Sequence, residues 1–323
     1  MSDSSLHQEK PSSMFRALFR NSGMIAVFGV LFILVALLVP NFFSLVNLNG
    51  LMLSVATVGI IASTMLFCLA AGDFDLSVGS IVAAAGILAA VTINATGSVM
   101  MGIVAGIVLG GLVGIINGFV IAALGINALI STLATMQIVR GFAYIISDGK
   151  AIGIREEGFF SLGVTTILSI PAPVWIMILC FLVFGVLLNK TIFGRHTLAV
   201  GGNKEAARLA GIPVKRVKMT IFALQGVIAG FAGVILASRM TSGQPATAQG
   251  LELQVISACV LGGVSLSGGV GSMSGVIVGV LIMGTVQNAM NLLNIPPFYQ
   301  YVASGAILLA SVMLDRLRRR SIG

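Results

Sequence analysis

Long apolar runs alternate with short polar interruptions along this chain, and the run lengths set the expected architecture. Stretches at about 23–39, 51–71, 76–95, 99–124, 128–146, 172–189, 217–237, 252–266, 270–291 and 298–314 predict ten helices. Most approach the ~20 residues that cross a hydrocarbon core. The runs are continuous, which excludes the alternating pattern of an outer-membrane barrel. The expected fold class is an all-α polytopic membrane protein with about ten transmembrane helices.

Two glycine-rich interruptions make the count less simple. Ala70-Ala-Gly-Asp-Phe-Asp-Leu-Ser-Val-Gly-Ser80 and Leu261-Gly-Gly-Val-Ser-Leu-Ser-Gly-Gly-Val-Gly271 each break an apolar run, and both carry Leu-Ser after a glycine turn. That likeness hints at a duplicated half. Non-helical chain at membrane depth survives only where protein or a watery cavity satisfies its backbone. Either segment could be re-entrant, which would lower the count to eight or nine.

Composition supports the membrane class: 57% of the 323 residues are hydrophobic and only 9% charged, against about 25% charged in soluble domains. Leu76–Val139 and Leu253–Leu314 contain no Asp, Glu, Lys or Arg. Small-xxx-small spacing recurs at Gly102, Gly106, Gly110 and Gly114, and at Gly275 and Gly279, which suits close helix packing within the chain or a dimer face. The net charge of +8 sits in the tails and in a polar island at about 190–217, so it sets topology and does not point to nucleic acid. With Lys218 just beyond it, the island collects seven of the 18 Lys and Arg. It, an N-terminal tail over 1–22 and a C-terminal tail over 315–323 are expected on the cytoplasmic side of a membrane domain spanning 23–314. Ser147–Pro173 is expected outside, with Trp175 as an interfacial anchor.

Within the island Asn203 reads as an N-cap, Lys204 to Leu209 as a short helix, and Gly211 with Pro213 as its stop. Glu205 and Arg208 can pair three residues apart, and Ala206, Ala207 and Ala210 leave a low surface that another protein can approach. An ordinary positive-inside loop is the plainer reading. Asp73 and Asp75 are ionisable groups beside an apolar run, read as helix caps or as gate residues. Arg140 could snorkel, or donate to hydroxyl groups of a polar solute or to a partner carboxylate. Asn117, Asn127, Gln137, Gln225, Gln287, Asn288 and Asn291 suit a weakly polar passage, or ordinary interhelical bonds. Arg239 and Glu252 bracket a loop expected outside, where they could meet a soluble partner or mark the interface.

Enzymatic chemistry finds little support. His7 and His196 are peripheral, Cys68, Cys180 and Cys259 are isolated in apolar runs, and no metal-ligand set is spaced along the spans. A phosphate-binding loop is also missing: before Lys190-Thr191 the two required glycine positions hold Phe184 and Asn189.

Gly72-Asp-Phe-Asp-Leu-Ser-Val-Gly-Ser80 resembles a signature of ribose-type sugar ABC importer permeases. Asn117-Gly118, Leu133–Gly141, the island's Gly-Gly-Asn-x-x-Ala-Ala-Arg core and Leu261–Gly269 are similar to further motifs of that family, over about 28–314. Asp73-Phe74 departs from it, standing where the family has Gly-Ile. Ala128–Lys150, Ile235–Pro245 and Asn288–Ile295 are similar to its L-arabinose branch. The resemblance implies the ABC importer permease fold in a bacterial inner membrane, with both termini cytoplasmic. It implies a second copy of the chain, a cytoplasmic ABC ATPase and a periplasmic sugar-binding protein. No cofactor would be bound here, because ATP and Mg would be used by the ATPase, whose cleft would receive Asn203, Lys204, Glu205, Ala206, Ala207, Arg208 and Gly211. An ion-driven secondary transporter of a small polar solute is the alternative, weakened by carboxylates that cluster near loop ends.

Overall fold

The structure, a computed structural model, describes the backbone of residues 13–320 and the side chains of residues 24–313. In chain order it contains α1 (Ser13–Leu38), α2 (Leu45–Ala70), α3 (Val78–Thr96), α4 (Val99–Ala122) and α5 (Ala128–Ser147). Next come β1 (Ile152–Gly153), α6 (Glu157–Val164), β2 (Thr166–Ile167), β3 (Ile170–Pro171), α7 (Ala172–Lys190), α8 (Ile192–Gly202) and α9 (Lys204–Leu209). The last part holds α10 (Val214–Met240), β4 (Ser242–Gly243), α11 (Leu251–Leu261), α12 (Met273–Leu292) and α13 (Pro297–Arg320). Helix α1 begins at Ser13, so part of the expected polar tail 1–22 is helical. Residues 1–12, and 321–323 of the expected tail 315–323, lie outside the described residues.

The expectation of about ten spans is met only in part. Among the described residues seven helices are long and apolar enough to cross a membrane: α2, α3, α4, α5, α7, α10 and α12. Three apolar helical stretches are shorter, namely Met24–Leu38, Leu251–Leu261 and Pro297–Met313. The run expected to span 252–266 stops at Leu261, because Gly262 packs on the Gly275 backbone and Gly263 turns left-handed at φ 86°. An 11-residue helix rises only about 16 Å, roughly half a hydrocarbon core.

Glycine contact explains the centre of the fold. Gly110 and Gly114 of α4 meet the backbone of α10 at Gly226, Gly230 and Phe222, while Gly233 of α10 meets Val82 of α3. A side chain at any of these positions would separate the helices, so the small-xxx-small stripe is used inside the chain. The outward face of α4 carries Val104, Val108, Leu112, Ile116 and Phe119, all exposed. At one end, α6 closes over α10: Ser238 Oγ donates to the Phe159 carbonyl at 2.6 Å and Phe159 is fully buried. The strand pairs β1–β4 and β2–β3 are antiparallel and lie at this same end.

Two stretches of non-helical chain run inside the helical body. Segment 71–77 links α2 to α3, with Asp75 and Ser77 fully buried. Loop 241–250, expected on the outer side, turns inward along α3. Gly243 packs on Gly86 and Ile87, and Ala248 with Glu252 packs on Gly79. By helix rise Gly79 lies about 26 Å from Thr96 at the far end of α3, so α11 starts deep in the fold.

Candidate functional site

The polar island is built as two helices. Thr191 Oγ1 accepts from the Gly194 amide at 3.3 Å and starts α8. This helix is pinned by its small and apolar face: Phe193 stacks on Phe67 of α2 with centroids 5.7 Å apart, Gly194 meets the Leu188 carbonyl, and Val200 is buried. Asn203 Oδ1 then accepts from the Ala206 amide at 2.9 Å, which caps α9. Glu205 and Arg208 pair at 3.0 Å on its exposed surface. Gly211 ends it at φ 81°, with the Ile212 amide reaching back to the Ala207 carbonyl. Lys204, Ala206 and Ala210 are exposed and Leu209 projects at 80% exposure. Ala207 differs from the expected low outer surface: it is buried at 5%, on the side of α9 turned towards its own chain.

Beneath α8 three glycine turns converge. Gly201 lies against the Ala70 carbonyl and the Gly269 amide, Gly268 against Gly201 and Gly72, and the Gly269 amide donates to the Ala70 carbonyl at 2.8 Å. The two sequence-related interruptions therefore touch each other and the island at one point. Lys218 Nζ, near the start of α10, sits 2.9 and 2.7 Å from the two carboxylate oxygens of Asp73. Asp75 Oδ1 accepts from the Ser77 amide at 2.9 Å and from its hydroxyl at 2.6 Å, which places a carboxylate at the buried start of α3. Asn117 Nδ2 donates to Ser77 Oγ at 3.0 Å, and Thr135 Oγ1 donates to Asn117 Oδ1 at 2.7 Å. This relay ties segment 71–77 to α4 and α5.

The inward loop forms a second polar locus. Arg140 Nη1 donates to the carbonyls of Pro245 and Thr247, each at 2.7 Å. Arg140 and Glu252 lie within Coulombic reach of each other. Gln137, one turn before Arg140, is exposed, as is Gln249, two residues beyond Thr247, and Glu252 is half-buried. Arg140 thus neither snorkels freely nor points at an empty space: it holds main chain in place.

The remaining candidates fall elsewhere. Asn127 caps α5 through the Leu129 amide at 2.9 Å. Asn288 exchanges amide hydrogen bonds with Asn47 of α2 at 2.8 and 3.0 Å, so it fastens α12 to α2. Gln287 is half-buried on α12, and Asn291 Oδ1 accepts from Gln300 at 2.7 Å. Arg239 does not stand out on a surface loop: it donates to the Leu53 carbonyl at 3.1 Å and lines a cavity of about 350 Å³ with Leu53, Val164 and Leu236. Glu252, expected beside it outside, packs instead on Gly79 at the start of α3.

A family model described as branched-chain amino acid transport system / permease component matches residues 47–312. The chain belongs to this permease family. It is 59% identical over 97% of its length to the L-arabinose transport system permease protein of Escherichia coli K12, covering 95% of that protein. It is 58% identical over 94% of its length to the L-arabinose ABC transporter permease protein of Azospirillum brasilense, covering 89% of that protein. The ribose import permease protein of Bacillus subtilis 168 is 41% identical over 98% of this chain and 99% of its own. No solved structure matches. The permease has the role of a transport subunit and not of an enzyme, and the ion-driven alternative loses its ground.

Several residues escaped the sequence reading of this permease. Thr191 was a legible signal, a threonine ahead of an amphipathic stretch that ends in Gly201-Gly202. Lys218, Thr135 and Asn47 gave no local signal, because their partners lie 145, 18 and 241 residues away.

Proposed function

We propose that this permease carries L-arabinose from periplasm to cytoplasm as the membrane-spanning subunit of an ATP-driven importer. The observation that carries this reading is 59% identity to an L-arabinose permease across 97% of the chain. Two copies pair in the bacterial inner membrane, surrounded by lipid, with both termini cytoplasmic. Each copy crosses ten times over residues 23–314, with loop 241–250 and α11 together making the eighth crossing. The exposed surface of α9, led by Leu209, Lys204 and the Glu205–Arg208 pair, docks in a cytoplasmic ATPase that uses ATP and Mg. A periplasmic sugar-binding protein delivers the sugar at the opposite end.

Closure of the ATPase pair then rocks the two copies between outward- and inward-open states, with no covalent step on the sugar. Arg140 positions loop 241–250, while Gln137, Gln249 and Glu252 offer donors and acceptors suited to sugar hydroxyls. Asp73, Asp75 and Asn117 hold the inner break. Proteoliposomes carrying this chain with its ATPase and binding protein test the reading. ATP-dependent accumulation of labelled L-arabinose, weakly inhibited by ribose, is expected. A preference for ribose would remove the assigned sugar, and accumulation on an ion gradient without ATPase would remove the importer.

A further inference from the structure

The first turns of α10 carry three basic residues, Lys215, Arg216 and Lys218. Lys215 and Arg216 are exposed, whereas Lys218 turns inward to Asp73. The two side chains are only 12% and 10% exposed, and Nζ contacts both carboxylate oxygens. Separating a buried pair leaves two uncompensated charges, so the two side chains are coupled in position. Its position is unusual in a second way. Lys218 stands four residues beyond Val214, where α10 emerges from the Pro213 turn after α9. Asp73 belongs to segment 71–77, whose other end carries Asp75, Ser77 and the relay to Asn117 and Thr135.

We propose that the Lys218–Asp73 ion pair is a latch that transmits displacement of α8–α9 through the base of α10 into segment 71–77. The latch rests on the importer reading above and adds a positioning pair to it. The glycine contact of Gly201 with Ala70 and Gly269 can push the break but cannot pull it, since it is held by packing alone. An ion pair resists separation, so Lys218 can draw Asp73 with it. The Asp73 amide is bonded to the Cys68 carbonyl of α2 at 3.0 Å and Asp75 to Ser77 at the start of α3, so displacement of Asp73 is passed to the ends of both helices.

The test measures sugar moved per ATP hydrolysed by the complete reconstituted complex. The double variant Asp73→Asn with Lys218→Met leaves no unpaired buried charge, so it separates transmission from mere neutralisation. It is expected to keep its ATPase bound and hydrolysing, while sugar moved per ATP falls about tenfold. Lys218→Arg, which retains the ion pair, is expected to stay within about twofold of wild type. A wild-type ratio in the double variant would overturn the latch, as would a loss in Lys218→Arg equal to that in the double variant. The wild-type complex separates the two claims: no ATP-dependent uptake there removes the importer reading, and the latch with it.

Discussion

Segment 71–77 and loop 241–250 both lead non-helical chain into the first turn of a deep helix, α3 and α11 respectively, yet they differ in how much of their support is local: Lys218 of α10 pairs with Asp73, but the start of α3 is held from within the segment. The first carries its own polar partner: Asp75 turns onto Ser77 two residues later, and only then do Asn117 and Thr135 extend the network. The second depends on a guanidinium from another helix, because Arg140 supplies two hydrogen bonds to its carbonyls. Buried main chain needs partners either way. A break with a hydrogen bond inside its own turn keeps its shape more readily when neighbouring helices move. A break clamped from α5 changes when α5 moves, which suits a gate.

Arg140→Gln should have the largest effect on this contrast. Losing charge-assisted bonds to two carbonyls should cost about 2–4 kcal/mol, with L-arabinose uptake down about 100-fold. Thermal unfolding in detergent and an uptake assay check both, and a wild-type uptake rate would remove the clamp. Gly201→Val comes next. Its side chain would strike the Ala70 carbonyl and the Gly269 amide, destabilising the protein by about 1–3 kcal/mol and disturbing segment 71–77 before loop 241–250. Limited proteolysis of the two regions reads the order. Leu209→Asp should have the smallest effect on the fold, because that side chain is 80% exposed. It should weaken ATPase association about tenfold, measured by titration of the purified partner. Unchanged affinity would move the docking surface off α9.

The same contrast governs how much was legible in the sequence. Local chemistry was: helix limits fell within a few residues for most runs, and Asn203, the Glu205–Arg208 pair and Gly211 are all realised as hydrogen bonds or turns, while Asp75 bonds Ser77 just ahead of α3 without capping the helix itself. Each of these involves residues within four positions of one another. Long-range packing was not legible. Nothing near Arg239 or Glu252 signals that 241–250 folds along α3, because the reason is the bare backbone of Gly79 and Gly86 more than 150 residues earlier. Ala207 was assigned outward because a six-residue helix has too few positions to define its buried face. Asn288 could be read as lining a passage or as bonding between helices, and only the fold shows which, by bringing Asn47 of α2 alongside.

Amide hydrogen exchange, followed by mass spectrometry on the permease in lipid nanodiscs, tests the two modes of support most directly. Arg140→Gln should accelerate exchange across 241–253 and leave 71–79 as in wild type, whereas Asp75→Ala should accelerate 71–79 and spare 241–253. Equal acceleration of both regions in either variant, or no change in the region named for it, would contradict the account.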